Sequence, residues 1–297
     1  MKIKSFIMNQ ITVSFKTENS LINSLKHRAD IKILRKSSSF AQIFKKKKYA
    51  DVYFHTGNLD EESINNINNS KITIVNSFSY MNLILEKTKI DHKKIKVIYP
   101  SVDIQYKDPD EVKQNYIERF SISLNTKLIL FTAKNFKTSG IKEFLDIASN
   151  LNFMDFKLII AGSKQQLAAL DFTLTKYQKL EDKIIKIEEN TINIDDLYLI
   201  SDIFLLPTHN KNIASSIIKA MFCECVIFST MNNDAKEILD VYATMEHSSD
   251  PSTPFKIDAV LYDEKELKNI KSQNRKIALE MSLEKNLEKF NEILVNI

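Results

Sequence analysis

Residues 203–229 decide the fold and read IFLLPTHNKNIASSIIKAMFCECVIFS. The stretch opens with a short apolar run at 203–206, continues through a loop into a helical pattern, and closes on a second apolar run at 226–229. Two short runs rich in Ile, Val and Phe that flank a helix are typical of a parallel β-α-β unit. The stretch therefore predicts an α/β fold built on a parallel sheet.

The same alternation of short apolar runs and helical patterns extends in both directions along the chain. Two series of about five strands each predict two doubly wound, Rossmann-like domains. The predicted strands are 3–8, 31–34, 52–55, 72–75 and 96–99 in the first series, and 128–131, 157–161, 184–187, 203–206 and 226–229 in the second.

The segment between the two series has two prolines and no helical period, which indicates a linker at 99–110. We therefore assign residues 1–103 to a first domain and residues 104–262 to a second. The pattern of residues 263–297 is helical throughout, with Leu283, Leu287, Phe290 and Leu294 at helix spacing. This tail is predicted to pack back across the domains or onto the first.

Composition places the chain among ordinary globular proteins, with 43% hydrophobic and 27% charged residues out of 297. It has only three glycines, Gly57, Gly140 and Gly162. No phosphate-binding P-loop and no G-x-G-x-x-G fingerprint can be assembled from them, so the usual nucleotide-binding motifs are excluded.

Charge is divided unevenly although the net value is only +4. Residues 1–103 hold 18 Lys and Arg against 9 Asp and Glu, whereas residues 104–297 hold 24 against 29. The densest basic run, residues 45–48, could contact an anionic membrane surface or form a solvated helix end. Nucleic-acid binding is not predicted, because the basic residues are not interleaved with aromatic ones in a known module.

The cysteines and the apolar runs indicate a cytoplasmic protein. Cys223 and Cys225 are too close in sequence for a favourable disulfide and too few for a zinc site, so we expect buried, inert thiols in a reducing compartment. No apolar run reaches the ~18 residues of a membrane span, and the start lacks the apolar region of a signal peptide.

Several segments resemble, in order, one family of enzymes. The quoted stretches are KKIKVIYPSVD at 93–103, LILFTAK at 128–134, LIIAG at 158–162, SDIFLLP at 201–207 and AMFCECVIFST at 220–230, the last followed by Glu237. They resemble the nucleotide-binding domain of family 4 retaining glycosyltransferases, and the resemblance covers residues from about 71 onward.

This resemblance implies a GT-B fold, in which two doubly wound domains face each other across a cleft. It also implies metal-independent transfer of a sugar from a nucleotide-sugar donor, without a cofactor, to a lipid-linked or glycan acceptor. The sequence Asp108-Pro109-Asp110 has the D-x-D spacing of metal-dependent glycosyltransferases, but it lies in the presumed linker, so no metal site is predicted there.

The resemblance also implies a donor site at the carboxyl ends of the second-domain strands, where helix N-termini present N–H groups to the diphosphate. Lys134 takes the place of the family's Arg, and Ser139 the place of its Lys. Lys137 lies in the same loop and could supply the missing second charge, or both lysines could serve only solubility. Gly140 and Gly162 belong to the same donor-binding motifs.

The family's pair of glutamates is replaced. The aligned positions are Lys211 and Lys219, and an ammonium cannot accept hydrogen bonds from ribose hydroxyls as a carboxylate does. Asn233 and Asp234 stand where two glycines are expected. The resemblance places His209 on the donor side, where it could face a ligand or only solvent, and makes Glu237 a helper near the donor.

The first domain is shorter than in the family, and its candidate catalytic group is His55, at the end of a predicted strand. A histidine there could bind a sugar hydroxyl or move a proton, or be satisfied by the local backbone. Two hypotheses remain open: a retaining glycosyltransferase with an altered donor site, and a catalytically inactive scaffold that binds a protein partner.

Overall fold

The computed structural model describes residues 10–34 and 48–295, which separate into two units. Of these residues, 10–34, 48–101 and 283–295 form the first unit, and 102–282 form the second. The chain thus passes between the units within the predicted linker, and it returns to the first unit inside the predicted helical tail.

Every strand pairing in the described residues is parallel, and the strands form two sheets. The strands are β1 (Ile11–Phe15), β2 (Ile31–Ile33), β3 (Val52–Phe54), β4 (Ile72–Val75), β5 (Ile95–Val97), β6 (Lys127–Thr132), β7 (Phe156–Gly162), β8 (Ile184–Glu188), β9 (Ile203–Leu206), β10 (Val226–Thr230) and β11 (Thr244–Met245). The order is β2-β1-β3-β4-β5 in the first unit and β11-β10-β9-β6-β7-β8 in the second. The predicted α/β class is therefore confirmed.

Helices connect the strands in both units. They are α1 (Ser20–Leu25), α2 (Glu61–Asn69), α3 (Phe78–Lys87), α4 (Pro109–Gln114), α5 (Ile117–Phe120), α6 (Ile141–Ser149), α7 (Lys164–Leu174), α8 (Ile194–Ile200), α9 (Ser215–Phe222), α10 (Thr253–Tyr262), α11 (Glu264–Leu279) and α12 (Leu283–Val295).

Nine of the ten predicted strands are present within one or two residues of their predicted ends. The tenth, at 3–8, lies outside the described residues. Two observed strands, β1 and β11, are not predicted. In β1 the polar Thr12 and Ser14 alternate with apolar residues and only Val13 is fully buried, so it has no continuous apolar run; β11 has only two residues.

Helix α12 belongs to the core of the first unit. Its fully buried Phe290 stacks on Phe54 of β3, with ring centroids 5.7 Å apart. The buried Asn286 donates to the carbonyl of Tyr99 and to the hydroxyl of Ser101, both at 2.9 Å. Leu283, Leu287 and Leu294 pack against the same cluster. The apolar stripe seen in the sequence thus faces the first sheet.

Helix α11 packs in the second unit through polar contacts as well as apolar ones. Lys271 donates to Asp202 at 2.8 Å, and Asn274 donates to the carbonyl of Cys225 at 2.8 Å. Arg275 donates to the carbonyl of Phe222 at 2.8 Å. Residues 263–297 are therefore shared between the two units. In the part of the chain that the structure describes, no helix has the length and apolar character to cross a membrane.

Candidate functional site

Because all strands of the second sheet are parallel, the loops that follow them meet at one edge. We call this edge, residues 133–140, 162–163, 207–214 and 231–237, the carboxyl edge of the second unit. Every predicted donor residue except Lys219 lies on it. This edge is where ligands bind in open α/β sheets.

The loop after β6 carries two exposed lysines, Lys134 and Lys137. Asn135 accepts a hydrogen bond from the N–H of Thr138 at 3.0 Å, and Gln166 of α7 donates to the carbonyl of Lys134 at 3.0 Å. The backbone of this loop is thus fixed while both side chains are exposed. Within residues 10–34 and 48–295, neither ammonium has an acidic or hydrogen-bonding partner.

Gly140 and Gly162 allow backbone and ring contacts that a larger residue would prevent. Gly140 adopts φ +81°, and a Cβ built on it would lie 2.0 Å from the carbonyl oxygen of Pro207. A Cβ on Gly162 would lie 2.4 Å from the ring of Phe136. The two glycines therefore hold neighbouring loops together at this edge, and Gly140 brings the start of α6 against the end of β9.

Two helices that begin near this edge have no side-chain cap, α6 and α9. By contrast, α7 is capped by Ser163 and α8 by Asn193. The first-turn N–H groups of α6 and α9 lack that partner, and the helix dipole gives them partial positive charge. The first turn of α9 contains no acidic residue. Such helix ends favour anionic groups.

Asn233 joins the loops that follow β9 and β10. Its fully buried amide donates to the carbonyls of Asn210 and Asn212, both at 2.9 Å, and accepts from the N–H of Ala235 at 2.9 Å. The side chain that replaces a glycine of the resembled family therefore holds the loop after β9.

Replacing Asn233 with glycine is expected to lower the free energy of unfolding by about 1–3 kcal/mol, because net hydrogen bonds contribute about 0.5–1.5 kcal/mol each. Urea unfolding measures this change. The same substitution at the neighbouring, exposed Asn232, whose amide makes one bond of 3.3 Å, is the control and should cost less. Equal effects at the two positions would contradict the bridging role of Asn233.

The two lysines at the glutamate positions differ in their surroundings. Lys219 of α9 forms an ion pair with Asp195 of α8 at 2.9 Å, and each side chain is about one-third exposed. Lys211 is exposed, and its carbonyl accepts from the N–H of Asp234 at 2.7 Å. The charge of Lys219 is thus already balanced.

His209 and Glu237 lie on the loops on either side. The ring of His209 is exposed, and its Nε2 lies 3.2 Å from a carboxylate oxygen of Glu143 in α6. The backbone N–H of His209 donates to the carbonyl of Thr138. Glu237 is half-buried in a 3-10 turn after β10. Backbone contacts link the loops after β6, β9 and β10, so the structure brings these two residues onto the same edge as Lys134, Lys137 and Lys211.

His55 lies in the first unit, just after β3, and its side chain is fully buried. Its Nδ1 is 3.2 Å from the hydroxyl of Tyr53, and its Nε2 is 3.0 Å from that of Tyr80. Burial, with the positive charge of Lys16, lowers the pKa of His55 to about 4. The ring is therefore neutral at pH 7, and its direct contact with a sugar stays a prediction.

Other features singled out in the sequence have structural explanations. Asp108 caps α4 by accepting from two N–H groups. Cys223 and Cys225 are buried free thiols whose pKa values are raised by burial, as expected for inert cysteines. No group of three or more potential metal ligands occurs in the described residues. Lys45, Lys46 and Lys47 lie outside them.

Sequence reasoning missed two parts of these sites. The bridging role of Asn233 has a local signal, an asparagine just after a strand, which commonly caps a turn. The tyrosines around His55 have no such signal. Tyr53 lies within β3, while Tyr80 lies in the first turn of α3, 25 positions from His55, and no local pattern connects them.

Comparison with solved structures confirms the GT-B glycosyltransferase fold. HepE of Anabaena, in complex with UDP and glucose, has a TM-score of 0.67 at 16% identity over 83% of this chain and 71% of its own. A glycosyltransferase of Rickettsia africae gives 0.68 at 20% identity, over 82% and 69%. WaaG, a glycosyltransferase involved in lipopolysaccharide biosynthesis, gives 0.69 at 11% identity, over 95% and 99%.

The sequence profile of one family, described as glycosyl transferases group 1, matches residues 112–277, more than half of the chain. The chain therefore belongs to the group 1 glycosyl transferases. No curated protein sequence matches it significantly. Assignment to family 4 within this group stays a prediction.

Proposed function

We propose that the chain transfers a glycosyl group from a nucleoside-diphosphate sugar, bound at the carboxyl edge of the second unit, to a lipid-linked or glycan acceptor. One observation carries the proposal: Lys134 and Lys137 have no acidic partner in the described residues and lie on the loop that leads into an uncapped helix. Unbalanced positive charge beside the N–H groups of a helix N-terminus suits a diphosphate. That HepE binds UDP and glucose supports the nucleotide class.

In this proposal Lys134 and Lys137 neutralise the leaving diphosphate as point charges, without the bidentate geometry of an Arg. Gly140 and Gly162 belong to the donor-binding loops and hold them against Pro207 and Phe136, and the N–H groups at the starts of α6 and α9 face the phosphates. His209, Lys211 and Glu237 lie on the flanking loops and contact the donor. The first unit supplies the acceptor contacts, and its candidate group His55 is buried next to the loop that follows β3.

The experiment is a calorimetric titration with UDP, GDP and their sugar conjugates at low salt. We expect the double variant Lys134→Ala, Lys137→Ala to lose affinity by at least about tenfold, because hydrogen bonds to charged groups contribute about 1.5–3 kcal/mol. Lys179→Ala is the control, since Lys179 is exposed in a 3-10 turn before β8. Binding that the double variant leaves unchanged would overturn this placement of the diphosphate.

A second function is favoured by two other contacts. Lys219 is paired with Asp195 where the family's ribose-binding carboxylate is expected, and Asn233 fills a glycine position. These substitutions suit a catalytically inactive scaffold that binds a protein partner. Absence of binding to every nucleotide in the titration would favour the scaffold, whereas binding followed by transfer or hydrolysis of the sugar would exclude it.

We also propose that the protein is cytoplasmic and contacts an anionic membrane through its basic first domain. Residues 1–103 carry twice as many basic as acidic residues. Lysines near an anionic leaflet contribute roughly 1 kcal/mol each. Sedimentation with vesicles that contain phosphatidylserine tests this contact, with neutral vesicles as the control; equal sedimentation with both would contradict it.

A further inference from the structure

Three buried side chains form a hydrogen-bonded chain beneath a loop of the first unit. Tyr53, His55 and Tyr80, which we call the Tyr-His-Tyr relay, are 3%, 0% and 8% exposed. The imidazole lies between the two hydroxyls, and the hydroxyl of Tyr80 also donates to the carbonyl of Gly57. The relay therefore ends on the backbone of the loop that follows β3.

The direction of each hydrogen bond in the relay follows from its last acceptor, the carbonyl of Gly57. A carbonyl can only accept, so the single hydroxyl proton of Tyr80 points at Gly57. The oxygen of Tyr80 must then accept from His55, which places the imidazole proton on Nε2. A neutral ring has one N–H, so Nδ1 accepts from Tyr53. One tautomer alone satisfies all three bonds.

Burial, with a smaller contribution from Lys16, keeps the ring in that neutral form. Lys16, whose ammonium pairs with Asp60 at 2.6 Å, contributes positive charge, and Asp60 contributes the opposite charge. Burial of the ring has the largest effect, and the pKa of His55 falls to about 4. The relay therefore keeps one proton arrangement at neutral pH.

The relay ends on the loop of residues 56–58, which has Gly57 at its centre. Gly57 has φ +79°, and a Cβ built on it meets no atom of residues 10–34 and 48–295 within 4 Å. Lys16 donates to the carbonyl of Asn58 at 2.8 Å, and Thr56 donates to the hydroxyl of Thr17 at 3.0 Å. Two hydrogen bonds thus hold the loop, and no described residue fills the position of a Gly57 Cβ.

We propose that His55 is a positioning residue that, as the Nε2–H tautomer, orients the Tyr80 hydroxyl and so holds loop 56–58 in the conformation that contacts the glycosyl acceptor. The acceptor part rests on the proposed function; the positioning of the loop does not. Since the ring has no exposed surface, it acts through Tyr80 and Gly57 rather than by touching the sugar.

The positioning role of His55 can be tested by NMR, because the chain has only three glycines and each gives a separate signal. Glycine labelled with ¹³C at the carbonyl and with ¹⁵N gives three backbone signals, from Gly57, Gly140 and Gly162. In Tyr80→Phe we expect the Gly57 carbonyl signal to move upfield, because it loses its hydrogen bond, while the other two stay in place. Tyr262→Phe, which removes an exposed hydroxyl bonded to the carbonyl of Asn152, is the control and should move none of them.

Nitrogen NMR of the histidine rings tests the tautomer. We expect His55 to show the Nε2–H pattern from pH 5.5 to 8 without titrating, and Tyr80→Phe to weaken that preference. An unmoved Gly57 signal in Tyr80→Phe, or an Nδ1–H pattern for His55, would overturn the positioning role. Neither result depends on the donor, so failure here is distinct from failure of the proposed transfer.

If transfer is detected, Tyr80→Phe should raise the acceptor KM by about tenfold or more while the donor affinity stays constant, because misplacement of a binding loop affects the acceptor alone. Equal losses of affinity for the donor and for the acceptor would indicate general unfolding and would contradict the acceptor role of the loop.

Discussion

Replacing Gly140 with alanine is expected to unfold the loop after β6 and to remove nucleotide binding. Two effects combine at this position. A residue with a Cβ at φ +81° is strained by about 1–3 kcal/mol. The Cβ would also lie 2.0 Å from the carbonyl oxygen of Pro207, which is backbone and cannot rotate away. The start of α6 must therefore separate from the end of β9, and Lys134 and Lys137 move with their loop.

Gly57→Ala is a matched control for this prediction. Gly57 has nearly the same backbone angle, φ +79°, but open space where the Cβ would stand. The difference between the two variants thus isolates the contact with Pro207. Urea unfolding and calorimetric titration with UDP measure both effects. If Gly140→Ala costs no more stability than Gly57→Ala and binds nucleotide normally, the close packing of the two loops is not required.

Replacing Asp202 with asparagine is expected to destabilise the second unit by about 3–5 kcal/mol, because it leaves the charge of Lys271 buried without a partner. One carboxylate oxygen accepts from Lys271 of α11 at 2.8 Å, and the other accepts from the N–H of Leu128 at the start of β6, at 3.0 Å. The aspartate, 7% exposed, therefore joins a helix to the centre of the sheet. Asp171→Asn breaks an exposed ion pair with Lys186 and should cost about 0–1 kcal/mol.

The same pair gives a pH dependence with a defined sign. Burial alone would raise the pKa of Asp202, but the charge and hydrogen bond of Lys271 outweigh it and hold the pKa below its usual value. Burial alone would lower the pKa of Lys271, and Asp202 raises it instead. A lowered acid pKa stabilises the fold above about pH 4, and a raised lysine pKa stabilises it below about pH 10.4. Stability from the pair should therefore decline outside these limits in the wild type and be missing in Asp202→Asn.

The architecture is largely predictable because parallel strands buried on both faces leave continuous apolar runs in the sequence. The strands β4 and β9 match their predicted ends, and the stripe of Leu283, Leu287 and Phe290 correctly indicates a buried helix face. Strand β1 is missed because its alternating residues leave no such run. The division of the helical tail between two units leaves no local mark either, since its pattern is helical on both sides of Ser282.

The positions of the candidate donor residues are predictable to the level of the loop, because a parallel sheet places all its carboxyl ends together. The contacts that these residues make are not predictable from the sequence. The sequence shows that Lys211 and Lys219 replace glutamates, but only the structure shows that Lys219 is neutralised by Asp195, 24 positions away. Likewise, Asn233 looks like the loss of a glycine, whereas in the structure it bridges two loops.

His55 illustrates the same limit in the first unit. Its place after a strand is visible in the sequence, and a histidine there suggests contact with a ligand. Its side chain is buried and lies within hydrogen-bond distance of Tyr80, a residue of α3. Such long-range contacts decide whether a titratable group touches substrate or supports a loop.

The central claim is that the carboxyl edge of the second unit binds a nucleoside diphosphate. Its most direct test is titration of the glycine-labelled protein with UDP, GDP, ADP and CDP, followed by NMR. Gly140 lies in the loop after β6 and Gly162 at the end of β7, whereas Gly57 lies in the other unit. We predict that at least one of these nucleotides shifts the signals of both Gly140 and Gly162 in a saturable way. If none of them shifts either signal, the donor site proposed here does not exist.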